Sequence, residues 1–453
     1  MPGPINSKSM KRISLPLLAV ASVFIAAATM AQIAEKAVRE KIAGIDLIAY
    51  KTGVEDVVTF HGSLPAGDSF APKNNIAVPT LVGGMLDKGT TKQDKFAIAQ
   101  KLDNIGAKIS FTVDGVMVEF KGKCLRKDLP LVISLLAEQL RAPAFSEEEF
   151  AKLQKQVIGY LQLSLESTDF RAGQAFSETV FPTGHPNHSP PTKELIAAVE
   201  SANLADLKTF HAAYYGPAQV TLVTVGDIDL ETLNSEIAKA FAGWTGGKVR
   251  PEFPKASAPD ARREQPIPMA DKPNVSVIVG QTTGLKYKDA DALALRVATA
   301  VLGRGWTGRL MANVRDKEGL TYGIYSDLSN DAFADGAWEI KANFAPQLLD
   351  QGMASTKRQL DTWCAEGVTA AELERVKSAL IGTFKVGLAT TDGLSNALLD
   401  AIHRGYDVTW LDEYPKRVAE LTLPEVNAAI KKHVQPEKMT IIKAGTLPPP
   451  LPP

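Results

Sequence analysis

At 453 residues the chain exceeds what one hydrophobic core organises, so two or more domains are expected. Its 45% hydrophobic and 22% charged side chains exclude a disordered polypeptide, and a net charge of -1 from 50 basic and 51 acidic groups supplies no field that would gather nucleic acid or an anionic membrane. The two cysteines, Cys124 and Cys364, are too few for a disulfide scaffold and fall in different halves, so both are expected as free, partly buried thiols.

The chain opens with Lys8, Lys11 and Arg12 ahead of the apolar run Ile13 to Ala28 and the small-residue stretch Thr29-Met30-Ala31. A basic region, an apolar region and a cleavage-like site read as a signal peptide over residues 1–31, with a mature protein starting near Gln32 outside the cytoplasm. The alternative is a membrane anchor, because only Ser14, Pro16 and Ser22 interrupt a run that approaches the ~20 residues a span needs. Next come a helix over Asp94 to Leu102, Gly106, strands over Lys108 to Phe111 and Val116 to Lys121, and helices over Leu129 to Arg141 and Phe145 to Gly159. His185-Pro-Asn-His188 lies between Gly184 and Ser189-Pro190-Pro191, which makes it a loop; as a half-site for metal it lacks a third ligand. Val220 to Gly226 reads as a strand, and Gly246 to Met269, rich in Pro, Lys, Arg and Ala without periodicity, reads as a linker.

Beyond it follow a helix over Leu293 to Val301, the tract Gly303-Arg-Gly-Trp-Thr-Gly308, Gly319, strands over Tyr322 to Leu328 and Ala337 to Asn343, a helix over Leu348 to Ala365, and a closing strand Met439 to Gly445. The glycine tract lacks the Lys-Ser/Thr ending of a phosphate loop and follows a helix, so it reads as a turn that could contact an extended ligand. Residues 446–453 form a proline-rich extended tail. The order of elements occurs twice. Phe145 to Gly159 aligns with Val368 to Gly382 at an offset of 223 positions, each with a polar N-cap, Ser146 or Thr369, and acidic residues in the first turn. Two similar α+β domains are therefore expected, over 32–245 and 270–445, joined by the linker 246–269.

The six histidines are His61, His185, His188, His211, His403 and His433, and none stands at helical spacing from another beside a glutamate. Arg315 and Tyr322, seven residues apart with Gly319 between them, place a permanent cation near a helix end and a phenol near a strand start. Both donate hydrogen bonds, so together they could stabilise charge developing on the oxygen of an attacked carbonyl. The plainer reading of the same residues pairs Arg315 with Asp316, Glu318 or another carboxylate and packs Tyr322 against the surface.

Met85 to Thr90, Phe145 to Gly159, Tyr214-Tyr-Gly-Pro217, Leu222 to Asp229, Gly303 to Leu310 and Arg315 to Tyr322 together resemble the pitrilysin family of zinc peptidases over nearly the whole mature chain. The resemblance implies an α+β fold of two homologous domains forming a half-clamshell, each with a mostly antiparallel sheet packed by helices. It also implies that the zinc motif H-x-x-E-H should immediately precede Met85. This chain has Thr80-Leu81-Val82-Gly83-Gly84 there, with Thr80 at the first histidine, Gly83 at the catalytic glutamate and Gly84 at the second histidine; Tyr160 falls where the third ligand is expected. No H-x-x-E-H occurs anywhere in the chain, so no zinc is expected on it. The family's arginine and tyrosine, which hold substrate and polarise its carbonyl, match Arg315 and Tyr322, and its glycine-rich loop matches Gly303, Gly305 and Gly308. The resemblance implies a periplasmic heterodimer in which a homologous H-x-x-E-H subunit supplies zinc and this chain supplies the arginine and tyrosine to a peptide substrate. The alternative is an inactive homologue acting as a scaffold or peptide-binding module.

Overall fold

The computed structural model describes residues 33–257 and 260–447; the expected signal peptide and the tail beyond Leu447 lie outside the described residues. Eleven strands among the described residues build two sheets. The first contains β1 (Ala37–Ile42), β2 (Ile45–Lys51), β3 (Val57–Leu64), β4 (Lys108–Val113), β5 (Val118–Leu125) and β6 (Thr221–Gly226), in the spatial order β1-β2-β6-β3-β5-β4. The second contains β7 (Arg263–Pro268), β8 (Val275–Thr282), β9 (Thr321–Ser329), β10 (Ala337–Phe344) and β11 (Thr440–Gly445), in the order β7-β11-β8-β10-β9. Setting β1 aside, the two orders are the same. Each sheet has one parallel pair, β2 with β6 and β7 with β11, in an otherwise antiparallel ladder.

The duplication continues in the helices. Glu147–Ser164 and Thr168–Val180 recur 223 positions later as Ala370–Gly387 and Thr391–His403. Ser146 accepts a hydrogen bond from the Glu149 amide, and Thr369 forms a reciprocal capping box with Glu372, so both long helices start where a side-chain oxygen satisfies an orphan N–H. β6 and β11 end on Gly226 and Gly445 at φ 145° and 147°, where a β-carbon would meet the carbonyls of Val57 and Asn274 at 2.1 and 2.6 Å.

Two expectations are corrected. Within the expected linker, Arg263–Pro268 is β7, the first strand of the second repeat. Pro266 and Pro268 and five exposed positions concealed it, and an edge strand is where proline's missing N–H is tolerated. The helix preceding Gly319 is Met311–Lys317, whereas Ala292–Gly303 stands in the order of elements where Val78–Met85 stands in the first half.

Period-two alternation explains how the halves join. Val58, Phe60 and Leu64 of β3 enter the first core, while Thr59 and Ser63 point to the opposite face. That opposite face is covered by Thr391–His403, a helix of the second half, through Leu394, Leu398 and Leu399 against Ile48, Val223 and Val225. Reciprocally, Thr168–Val180 of the first half lays Ala172, Ala175 and Phe176 on Ile278, Ile442 and Ala444 of the second sheet. The polar contacts repeat as well: Thr59 bonds Thr391 at 2.8 Å, and Ser276 bonds Thr168 at 2.7 Å. Each half thus lends a helix to the other.

Candidate functional site

Arg315 lies in Met311–Lys317, a wide π-type turn in which the Glu318 amide donates to the Asn313 carbonyl five residues back at 3.0 Å. Such widened turns shift side chains out of α-helical register and recur at functional sites. Gly319, at φ 65°, ends the turn and releases the chain into β9. The Arg315 Nε donates to the Tyr322 carbonyl at 3.0 Å and its Nη1 to Asp316 Oδ1 at 2.7 Å. Arg315 therefore does pair with Asp316, as the plainer reading held, whereas Glu318 is taken by Ser355 and Arg358. Tyr322 does not pack: it is 88% exposed. The two residues stand together at the solvent surface, the guanidinium 5.8 Å from the Tyr322 ring centre.

The glycine loop meets them. Gly303 ends its helix so close to β9 that a β-carbon would lie 2.2 Å from the Ser326 nitrogen, and Gly305 takes φ 64° to turn the chain. Arg309 anchors the far side with a fork to Glu372, both contacts 2.7 Å, and with a bond to the Gly367 carbonyl at 2.9 Å. That fork, with the Thr369 donors, holds the Glu372 carboxyl down at about 2. The loop thereby presents Trp306, which sequence reasoning overlooked inside the quoted tract, with its ring centre 4.4 Å from the Arg315 guanidinium. Tyr322 also borders a groove of ≈ 780 Å³ between Thr168–Val180 and the second sheet, with Asp169, Ser276, Tyr325, Lys341 and Asn343 on its walls.

The positions matching the zinc motif lie in Val78–Met85, where Gly83 is buried, Gly84 half-buried and Thr80 exposed. Thr80 donates to Asp68 Oδ1 at 2.7 Å. A β-carbon at Gly83 would lie 2.1 Å from Val113 Cγ2, and one at Gly84 would lie 2.9 Å from Leu153 Cδ2. Tyr160, 65% exposed, extends from Glu147–Ser164 with no carboxylate in its place. Threonine, two glycines and a phenol do not make the donor set that zinc requires, and at both glycines a neighbouring side chain lies where a β-carbon would start. Among the described residues no group of three His, Cys, Asp or Glu side chains is placed to hold a metal ion.

Two family models match in tandem: Insulinase (Peptidase family M16) over residues 52–177 and Peptidase M16 inactive domain over residues 201–380. The chain belongs to the pitrilysin family, M16. A Helicobacter pylori protein called Non-peptidase homolog YmxG is 23% identical over 384 residues, 84% of this chain and 87% of that one. The Bacillus subtilis protein called Uncharacterized zinc protease YmxG is 23% identical over 359 residues, 77% of this chain and 83% of its own length. In fold, the chain matches the crystal structure of a peptidase M16 inactive domain from Pseudomonas fluorescens with a TM-score of 0.82 at 23% identity, covering 90% of this chain and 97% of that one. It also matches the Escherichia coli periplasmic protease PqqL with a TM-score of 0.75 at 15% identity, covering 91% of this chain but only 46% of PqqL.

Within this M16 fold the histidine loop has a structural occupation. His185 and Asp335, both with fully buried side chains, lie 3.4 Å apart, the His185 ring stacks on Phe181 at 4.7 Å, and its Nδ1 accepts from the Asn187 amide at 3.1 Å. Asn187 reaches the carbonyls of Asn330 and Asp335 at 2.8 and 3.0 Å, and His188 Nδ1 sits 2.9 Å from the Phe181 carbonyl. The loop therefore ties the first half to the second. A second buried cluster was invisible in the sequence: His61 lies 3.1 Å from Glu119 and Ser63 lies 2.8 Å from His403, so residues 340 positions apart meet at the seam.

Proposed function

We propose that this chain is the zinc-free subunit of a two-subunit periplasmic zinc peptidase. A homologous subunit carrying H-x-x-E-H would contribute the metal, the water it activates and the glutamate base. This chain would contribute two donors to the peptide carbonyl: the Arg315 guanidinium, fixed by its bonds to Tyr322 and Asp316, and the exposed Tyr322 hydroxyl. The loop containing Gly303, Gly305 and Gly308 would lie along the extended substrate, whose main chain supplies affinity with little sequence preference. The single observation carrying this reading is the contrast between motif positions that hold no zinc donor and an arginine–tyrosine pair held together at the surface.

One finding supports it. PqqL, named a periplasmic protease, carries this architecture in under half its length, which leaves room for another unit of similar size in the same chain. Among the described residues no helix is long and apolar enough to cross a membrane. The complex co-purified with its zinc-bearing partner should hydrolyse an unfolded casein substrate, and the isolated chain should not. Arg315→Ala and Tyr322→Phe should each lower kcat of the complex on the order of a hundredfold. Full activity of both variants would end the proposal.

One relative's name, Non-peptidase homolog, favours a second reading in which the chain is a scaffold or peptide-binding module. Under it, neither substitution changes any turnover while peptide binding to the isolated chain persists.

A further inference from the structure

Trp306 is 64% exposed, yet one face of its indole is covered by the Arg315 guanidinium at 4.4 Å. This is not a meeting of two loose side chains. The loop is braced on the side following Trp306 by the Arg375 Nη1 bond to the Thr307 carbonyl at 3.1 Å and by the Arg309–Glu372 fork. Arg315 in turn has Nε on the Tyr322 carbonyl and Nη1 on Asp316 Oδ1, so among the described residues Nη2 alone of its three nitrogens takes no hydrogen bond. A guanidinium is planar: two in-plane bonds fix its rotation within the plane, and a ring against its face fixes the tilt of the plane itself. Remove the ring and the whole plane, Nε included, is free to tilt by rotation about the Cγ–Cδ and Cδ–Nε bonds.

We propose that Trp306 is a positioning residue for Arg315, setting the tilt of the guanidinium so that Nη2 is the donor offered to the ligand carbonyl. The inference rests on the reading of Arg315 given above and adds to it a residue outside the arginine–tyrosine pair. The glycines flanking Trp306 acquire a purpose under it: they shape a loop that delivers an aromatic face to one arginine. The indole's other face stays open to solvent, which is why the ring remains exposed while acting on a neighbour.

In the complex with the zinc-bearing subunit, Trp306→Leu, which keeps apolar bulk but removes the π face, should lower kcat roughly three- to thirtyfold with a smaller change in KM. Trp306→Phe should retain most of the rate. Trp306→Leu combined with Arg315→Ala should be no slower than Arg315→Ala alone, because the tryptophan acts only through the arginine. In the isolated chain, the Arg315 Nε–H resonance should leave its ring-current-shifted position in Trp306→Leu and stay near it in Trp306→Phe. An unmoved resonance in Trp306→Leu, equal impairment by leucine and phenylalanine, or additive losses in the double variant would overturn the inference. If the resonance moves but Arg315→Ala keeps the full peptidase rate, the stack stands and the peptidase reading fails.

Discussion

Gly83 and Gly84 do more than omit the catalytic glutamate and one ligand. Glycine at these places lets Val113 and Leu153 approach the helix backbone more closely than any side chain would allow, so a side chain introduced at either place must displace them. Restoring the motif as Thr80→His, Gly83→Glu and Gly84→His, with Tyr160→Glu for the third ligand, should therefore overpack this region. We expect a loss of about 1–3 kcal/mol in unfolding free energy and no stoichiometric zinc by elemental analysis. A restored chain that held one zinc per molecule without loss of stability would show that the pocket had survived. At this scale the sequence was informative about chemistry and silent about space. It displayed the missing donors and the spacing of Arg315 and Tyr322, but the contacts of Val113, Leu153 and Trp306 connect residues far apart in the chain or hidden in a loop.

At the scale of elements, the lent helices carry the join. Leu394, Leu398 and Leu399 of Thr391–His403 are buried against strands β2 and β6 of the other half, and full burial of such side chains contributes about 1.5–3 kcal/mol each. Leu398→Ala should cost roughly 2–5 kcal/mol by denaturant titration, with the loss falling on contacts between halves. Protease nicking should then increase first in the segment 246–257 that links the two repeats. A stability change below about 0.5 kcal/mol would mean that the lent helix is dispensable. Neither lent helix was read from the sequence; the 223-residue offset was visible only in the helices that precede them, Phe145 to Gly159 and Val368 to Gly382. The destination of the lent helices was not legible, because an amphipathic helix specifies that an apolar face must be covered and not by which sheet. β7 shows the opposite failure: its partners are clear in space, but prolines and charged side chains on an exposed edge leave no alternation to read.

The whole molecule is two copies of one fold locked by exchange, and its seam holds ionisable groups. His403, on the lent helix, faces Ser63, His61 and Glu119 of the first sheet, with Asp400, Arg404, Arg250 and Phe333 around it. Burial pushes its imidazole down to about 4, only partly opposed by Glu119. The folded protein thus keeps His403 neutral at pH values where the unfolded chain, titrating near 6.5, takes a proton. The stability held by this group is complete above about 6.5 and drains as the pH falls toward about 4, at up to about 1.4 kcal/mol per pH unit. Glu119, held below its usual range by its bond to His61, adds an acid loss in the same direction at still lower pH. The melting temperature should fall steadily from pH 6.5 to pH 4.5, and His403→Gln should flatten that slope whatever its effect at pH 7. An unchanged slope in the variant would remove His403 from the acid response.

The sequence by itself determined that the chain is a duplication, through Phe145 to Gly159 and Val368 to Gly382 at an offset of 223 positions, and that the zinc donors are gone while an arginine and a tyrosine remain seven residues apart. These are local properties, written in periodicity, caps and residue identity within a few turns of chain. Only the tertiary structure decided that Val113 and Leu153 crowd the two motif glycines, that each half borrows a helix, that two histidines and a serine share a buried seam, and that Trp306 lies against Arg315. Those outcomes depend on which surfaces come within a few ångströms of one another, and no local pattern encodes the partner that a face will find.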